Sequence, residues 1–176
     1  DAGVIEALPA IRTVAFEQTG SLTEGRPGVR EILPAPGIDR ESLLAVTVAI
    51  EGESNHPLAD AVLRYAEGET GNGDAAVRFP TPAVLQVEAE AVRPIEGAGI
   101  EGRVRFPGSA DDEAMPVFIG SEALMLQQGV DLTGLADELE LARNEGWTVS
   151  LVAMARADSD PMLLGALLFA DTPRPG

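Results

Sequence analysis

The segment that most constrains the fold is Arg40 to Ile50, RESLLAVTVAI. Leu43, Leu44, Val46, Val48 and Ile50 place apolar groups on most faces of any helix drawn through it. Such a helix has to be largely buried, and Asp39 stands where it can cap the first turn. A second helix follows closely. Ser54 or Asn55 can cap it, Pro57 falls in the first turn where its missing N–H costs nothing, and Leu58, Val62 and Tyr65 recur at helical spacing. This helix is expected to run from His56 to Glu67, so the two form a helical hairpin.

His56 is the only histidine of the chain. A helix N-terminus carries partial positive charge, which disfavours a second positive charge and favours the neutral ring. A neutral planar ring at a helix mouth suits stacking on a purine. The bland reading of the same position is a surface residue beside a cap.

Composition narrows what the hairpin can belong to. A chain of 176 residues that is 45% hydrophobic can fill one ordinary core, or one domain with fragments of another. No apolar run reaches the length of a membrane span and no charged-then-apolar signal peptide opens the sequence, so a soluble piece is expected. With no cysteine, disulfides and thiolate metal sites are excluded, and one histidine leaves only carboxylate-rich metal sites; none is assigned. The formal charge of −17 repels nucleic acid and anionic lipid and offers a polyphosphate no broad attraction. On charge alone, nucleotide affinity has to come from the base, and AMP and ATP should bind alike.

The remaining elements read as short strands and helices. Ile11 to Glu17, Gly28 to Pro34, Leu85 to Glu90, Val92 to Ile95, Arg103 to Phe106, Pro116 to Gly120, Val149 to Ala155 and Met162 to Ala170 have strand character. Glu122 to Gln128, opened by Ser121, and Asp137 to Arg143, capped near Thr133, make a second helical hairpin. Gly68 to Pro82 has glycine and proline but no period and reads as a surface loop. Trp147 is expected in the core. Gly97 to Gly102, GAGIEG, fits G-x-G-x-x-G, but the RVRF that follows alternates like a strand, so the dinucleotide-binding fingerprint fails. A plain glycine turn between strands is the alternative.

Several of these segments, in order, resemble the heavy-metal-transporting P-type ATPases. SNHPLA, Ser54 to Ala59, is similar to that family's S-E-H-P-L-A, whose histidine contacts the adenine of ATP; Asn55 stands where the family has glutamate, and Glu51 where it has a nucleotide-binding glutamate. Gly97, Gly99, Ile100 and Gly102 match its G-x-G-I-x-G, in which glycines let the backbone approach adenine and ribose. Gly120 and Ser121 fall on its I-G-N turn, with serine replacing asparagine. ADTPRP, Ala170 to Pro175, is similar to the A-D-T-x-R-P that re-enters the phosphorylation domain. VAFEQTGSLTEG resembles the phosphorylation motif V-A-F-D-K-T-G-T-L-T-E-G, with Glu17 on the phosphorylated aspartate and Gln18 on the lysine.

The resemblance implies an α+β nucleotide-binding domain, with an antiparallel sheet of about six strands flanked by two helical hairpins. Its expected divisions are a degenerate phosphorylation strand and hinge over 1–25, the nucleotide-binding domain over 26–158 and a return strand over 159–176. Implied ligands are ATP, with Mg²⁺ only in the intact parent. Implied partners are the parent's phosphorylation and actuator domains, with neither nucleic acid nor direct membrane contact, in a cytoplasmic domain of an integral membrane protein. Glu17 is too long by one methylene for the aspartate's geometry and Gln18 lacks the lysine's charge. The isolated chain, lacking the magnesium-binding aspartates too, is therefore expected to be catalytically inactive. Two other readings are a nucleotide-sensing or interaction domain of a degenerate pump, and a haloacid-dehalogenase-like phosphatase. The latter needs aspartates where Glu17 and Thr19 stand.

Overall fold

The computed structural model describes residues 23–68, 87–107, 113–155 and 159–173. The expectations for Ile11 to Glu17, for Gln18 and Thr19, for all but the start of the loop from Gly68 and for Arg174 and Pro175 lie outside these residues. Within them the sheet strands are β1 (Thr23–Pro34), β2 (Glu88–Ile95), β3 (Gly99–Arg105), β4 (Met115–Gly120), β5 (Thr148–Met154) and β6 (Met162–Pro173). The helices are α1 (Arg40–Glu51), α2 (Pro57–Ala66), α3 (Glu122–Gln127) and α4 (Ala136–Asn144). All six strands join one antiparallel sheet in the order β1-β6-β5-β4-β3-β2.

The helices cover opposite faces of this sheet. Leu43, Leu44, Val46 and Ile50 of α1 pack with Val62 and Tyr65 of α2 against Val104, Val117, Val152 and Phe169. Leu124 and Met125 of α3 pack with Leu139 and Ala142 of α4 against Leu151, Ala153, Ala166 and Leu168. Val152 thus faces one hairpin while its neighbours Leu151 and Ala153 face the other, as the two-residue period of a strand requires. Each fully buried leucine contributes about 1.5–3 kcal/mol. As its all-round apolar pattern demands, α1 is buried; of its two buried polar residues, Thr47 and Glu51, the first donates to Leu43 O at 2.7 Å.

Bulges shift this alternation where the sequence pattern breaks. Ala91, at φ 53°, is the extra residue between the Glu90 and Arg93 registers, so Ala89 and Val92 reach the same core although they are three apart. The two strand pieces read on either side of Ala91 are therefore one strand. A second register shift lies between Val152 and Ala153, opposite Leu163 and Gly165, and it swaps the faces to which β6 residues point before and after it.

Other differences are local. β1 begins at Thr23, before Gly28, and pairs from Thr23↔Pro173 to Pro34↔Gly165. β6 is bonded on both edges, to β1 and β5. Thr133 does not cap α4; a 3-10 turn, Thr133–Leu135, precedes that helix, and Asp131 Oδ1 accepts from Thr133 N–H at 2.9 Å. Trp147 is only half-buried, packed against the second core with the Arg30 guanidinium 5.3 Å over its ring.

Candidate functional site

Three segments far apart in sequence meet at one end of the sheet. α1 ends at Glu51 and the chain turns through Ser54 into α2; β2 turns through Gly97 into β3; β4 ends at Gly120, where Ser121 starts α3. Between them is a cavity of about 430 Å³, lined by Glu51, His56, Gly97, Gly99, Ile100, Gly120 and Ser121. Of the nucleotide-contacting positions implied by the sequence, only Gly102 is not on it. The volume falls within the range of small-molecule pockets.

The glycines have three different reasons to be glycine. Gly97, at φ 68°, sits in the β2–β3 turn with open space where a Cβ would be. Gly99 and Gly120 are cross-strand partners; a Cβ on Gly99 would lie 2.1 Å from Ile119 O, and one on Gly120 2.2 Å from Ala98 O. Their missing side chains admit a neighbouring strand. Gly102 faces inward, where a Cβ would meet Ile50 Cδ1 at 2.7 Å and Val92 Cγ2 at 2.9 Å. Its missing side chain lets α1 settle on the sheet.

His56 itself is the N-cap of α2, a role expected of Ser54 or Asn55. Its Nδ1 accepts from Leu58 N–H at 3.2 Å. A ring nitrogen that accepts in this way carries no hydrogen, which leaves Nε2 as the ring's N–H. With Nδ1 so occupied, the ring is not poised as a base on Ser54. That serine is instead the link of the site: its Oγ accepts from His56 N–H at 3.2 Å, its own N–H donates to Glu51 O at 2.9 Å, and its side chain bonds to the Glu51 carboxyl.

Glu51 is 7% exposed. Burial pushes its carboxyl above the ordinary glutamate value, and the Ser54 hydrogen bond opposes this by favouring the ionised form. Ser121 caps α3, its Oγ accepting from Leu124 N–H at 3.3 Å, while its N–H donates to Ala98 O at 2.8 Å and ties the glycine turn to the helix start. The remaining wall is largely apolar: Leu58, Ile119 and Val149 line it with Ile100. The arrangement is an apolar slot with one buried carboxylate and one imidazole at its lip. It suits a planar heteroaromatic with an amino group. Among the described residues no three His, Asp or Glu side chains are grouped to hold a metal ion.

Sequence reasoning missed Ser54 as the link, and it missed Val149 and Ser150 of β5 altogether. Ser54 stands in the motif and could have been found by its spacing from Glu51. Val149 and Ser150 carry no local signal, because only the sheet order brings β5 beside β4.

No protein-family model matches the chain. Over 175 residues it is 31% identical to a copper-exporting P-type ATPase of Vibrio cholerae, covering 99% of this chain and 16% of that protein. Over 174 residues it is 35% identical to a zinc/cadmium/lead-transporting P-type ATPase of Escherichia coli, covering 97% of this chain and 19% of that protein. A crystal structure of a zinc-transporting PIB-type ATPase in the E2.Pi state superposes with a TM-score of 0.63 at 29% identity, covering 93% of this chain and 22% of that one. The chain is homologous to the heavy-metal P-type ATPases. It spans less than a fifth of the length of either of these curated relatives. Within this heavy-metal ATPase homologue, the cavity gathers residues from SNHPLA, from GAGIEG and from the I-G-S turn at the end of β4. Among the described residues no helix is long and apolar enough to cross a membrane. Glu17, at the phosphorylated-aspartate position, lies outside the described residues.

Proposed function

We propose that this chain is the nucleotide-binding part of a heavy-metal cation-transporting P-type ATPase. It binds ATP by its adenine and presents the γ-phosphate to a phosphorylation domain of the parent. The observation that carries the reading is the convergence of Glu51, His56, Gly97, Gly99, Ile100, Gly120 and Ser121 on one cavity. The His56 ring stacks on the purine, and ionised Glu51 accepts from its amino group. Ser121, whose oxygen already serves α3, donates its hydroxyl proton. Ile100 and Leu58 exclude water from the base.

Three motif segments contribute to a single surface although 37 residues separate the first from the second and 16 the second from the third. A purely structural role for each would not require them to share one cavity. In the parent, the phosphorylation and actuator domains are the partners, the site faces the cytoplasm, and nucleotide arrives with Mg²⁺ bound outside this cavity. Glu17 and Gln18 leave phosphoryl transfer without its usual nucleophile and lysine. A degenerate pump that uses this domain to sense nucleotide is the second reading, and that pair of residues is what favours it.

Stacking and a few base contacts correspond to a Kd on the order of 0.1–1 mM. Titrating AMP into the isotope-labelled chain should move the amide signals of His56 and Ala98 along a saturable curve. Unchanged signals at 10-fold above that range would rule the reading out.

A further inference from the structure

A second cleft, of about 450 Å³, opens on the other side of His56. Arg26, Pro27, Asp60 and Arg64 line it, and it shares Ser54 and His56 with the base cavity. His56 is thus the ridge between two adjoining clefts. We propose that the arginine cleft holds the polyphosphate of the nucleotide whose base occupies the glycine-rimmed cavity, with Arg26 and Arg64 as its cationic contacts. The inference rests on the base-binding reading above and assigns the other end of the ligand.

Charge is the first support. Over a chain of formal charge −17, a polyphosphate is repelled almost everywhere. Two guanidinium groups beside His56 make a local exception. Arg64 is already set: Nε bonds to Asp60 Oδ2 at 3.1 Å and one terminal nitrogen donates to Pro27 O at 3.1 Å. A guanidinium has five N–H donors, so this bracing leaves others for an anion. Because the side chain is held in advance and 28% exposed, it loses little freedom on engaging phosphate. Arg26 is anchored through its backbone, whose N–H donates to Asp171 Oδ1 at 3.0 Å, and its side chain is exposed. A planar fork matches phosphate oxygens better than a lysine point charge would.

Position is the second support. The β2–β3 turn, the end of β4 and the start of β1 lie along the same end of the antiparallel sheet, since Pro27 pairs with Asp171 and Thr148 with Phe169. A nucleotide laid from the glycines past His56 to Arg26 runs toward the start of β1. Nine residues before Arg26 in the chain is Glu17, the position aligned with the phosphorylated aspartate.

The test measures the ratio of ATP to AMP affinity by calorimetry on the full chain, in EDTA. The ratio should be about tenfold in the unaltered chain, shrink as salt rises, and fall close to one in Arg26→Ala. Arg143→Ala, which removes an equal charge from α4, should keep the tenfold ratio. A ratio near one in the unaltered chain overturns the proposal while AMP binding preserves the base cavity. A ratio unmoved by Arg26→Ala, or lowered as much by Arg143→Ala, overturns it too. Binding of neither nucleotide removes the base-binding reading and this proposal together.

Discussion

The two helical hairpins perform the same structural task on opposite faces of the sheet, yet they contribute unequally to the cavity. α1–α2 buries Leu43, Leu44, Val46 and Ile50 and then carries a buried carboxylate, Glu51, at its tip. α3–α4 is shorter, buries Leu124, Met125, Leu139 and Ala142, and leaves Leu126 and Leu141 exposed on its outer side. Past its Ser121 cap, a folding requirement explains the second hairpin. It does not explain Glu51, because burying an ionisable side chain opposes folding unless something else is gained. What α1–α2 has, and α3–α4 lacks, is a turn set over the glycine rim of β2, β3 and β4.

If that contrast is right, core truncation should not distinguish the hairpins. Leu44→Ala and Leu139→Ala should each cost about 2–5 kcal/mol in urea unfolding. A loss confined to one face would show that the other hairpin is docked weakly and is not a full layer of the fold. The glycine rim is the next test. Gly99→Ala sets a Cβ against the Ile119 carbonyl and is expected to cost about 1–3 kcal/mol, while Gly97→Ala, in open space at φ 68°, should cost less.

His56→Ala separates the hairpins by function. Losing the stack should weaken nucleotide binding by about 1–3 kcal/mol, and losing the Nδ1 cap should lower stability by about 1 kcal/mol. Titration and thermal unfolding of one sample give both values. Collapse of the structure would make His56 a packing residue and erase the contrast.

Glu51 gives a direction in pH. With its folded-state value raised, the unfolded chain releases its proton first as pH rises, so this group's contribution to stability falls between the ordinary glutamate value and the raised one. Glu51→Gln should remove that fall and leave the protein relatively more stable at neutral pH than at acid pH. A pH profile identical to the unaltered chain's would mean that the carboxyl is not desolvated. The smallest effects belong to ion pairs. Arg64→Ala, which cuts both the Asp60 pair and the bond to Pro27 O, should cost about 1 kcal/mol, whereas Arg143→Ala on the other hairpin, losing an exposed pair with Glu122, should stay within about 0.5 kcal/mol. Equal losses in denaturant titrations would remove the bracing assigned to Arg64.

Much of this was legible residue by residue. Asp39 reads as a cap because an acceptor before an apolar helix has few other uses, and α1 reads as buried because no face of it is polar. The strands' hydrophobic runs and the helix starts at Ser121 and Pro57 are properties of neighbours in the chain. The same local rules fail at Ala91, where a bulge turns two apparent strands into one, and at Trp147, which stacks under Arg30 instead of entering the core.

By itself, then, the amino-acid sequence determined the kind of most of the described elements and named seven of the residues that meet in the cavity, since propensity, capping and motif are short-range. Only the tertiary structure decided that β5 lies beside β4, that Gly102 serves packing while Gly99 serves strand approach, and that Arg26 comes to stand next to His56. The three glycines of GAGIEG are identical as letters; their roles differ because Gly97's missing Cβ faces open space, Gly99's the Ile119 carbonyl and Gly102's the side chains of Ile50 and Val92, and those neighbours are brought in by pairing and bulges that no local pattern encodes.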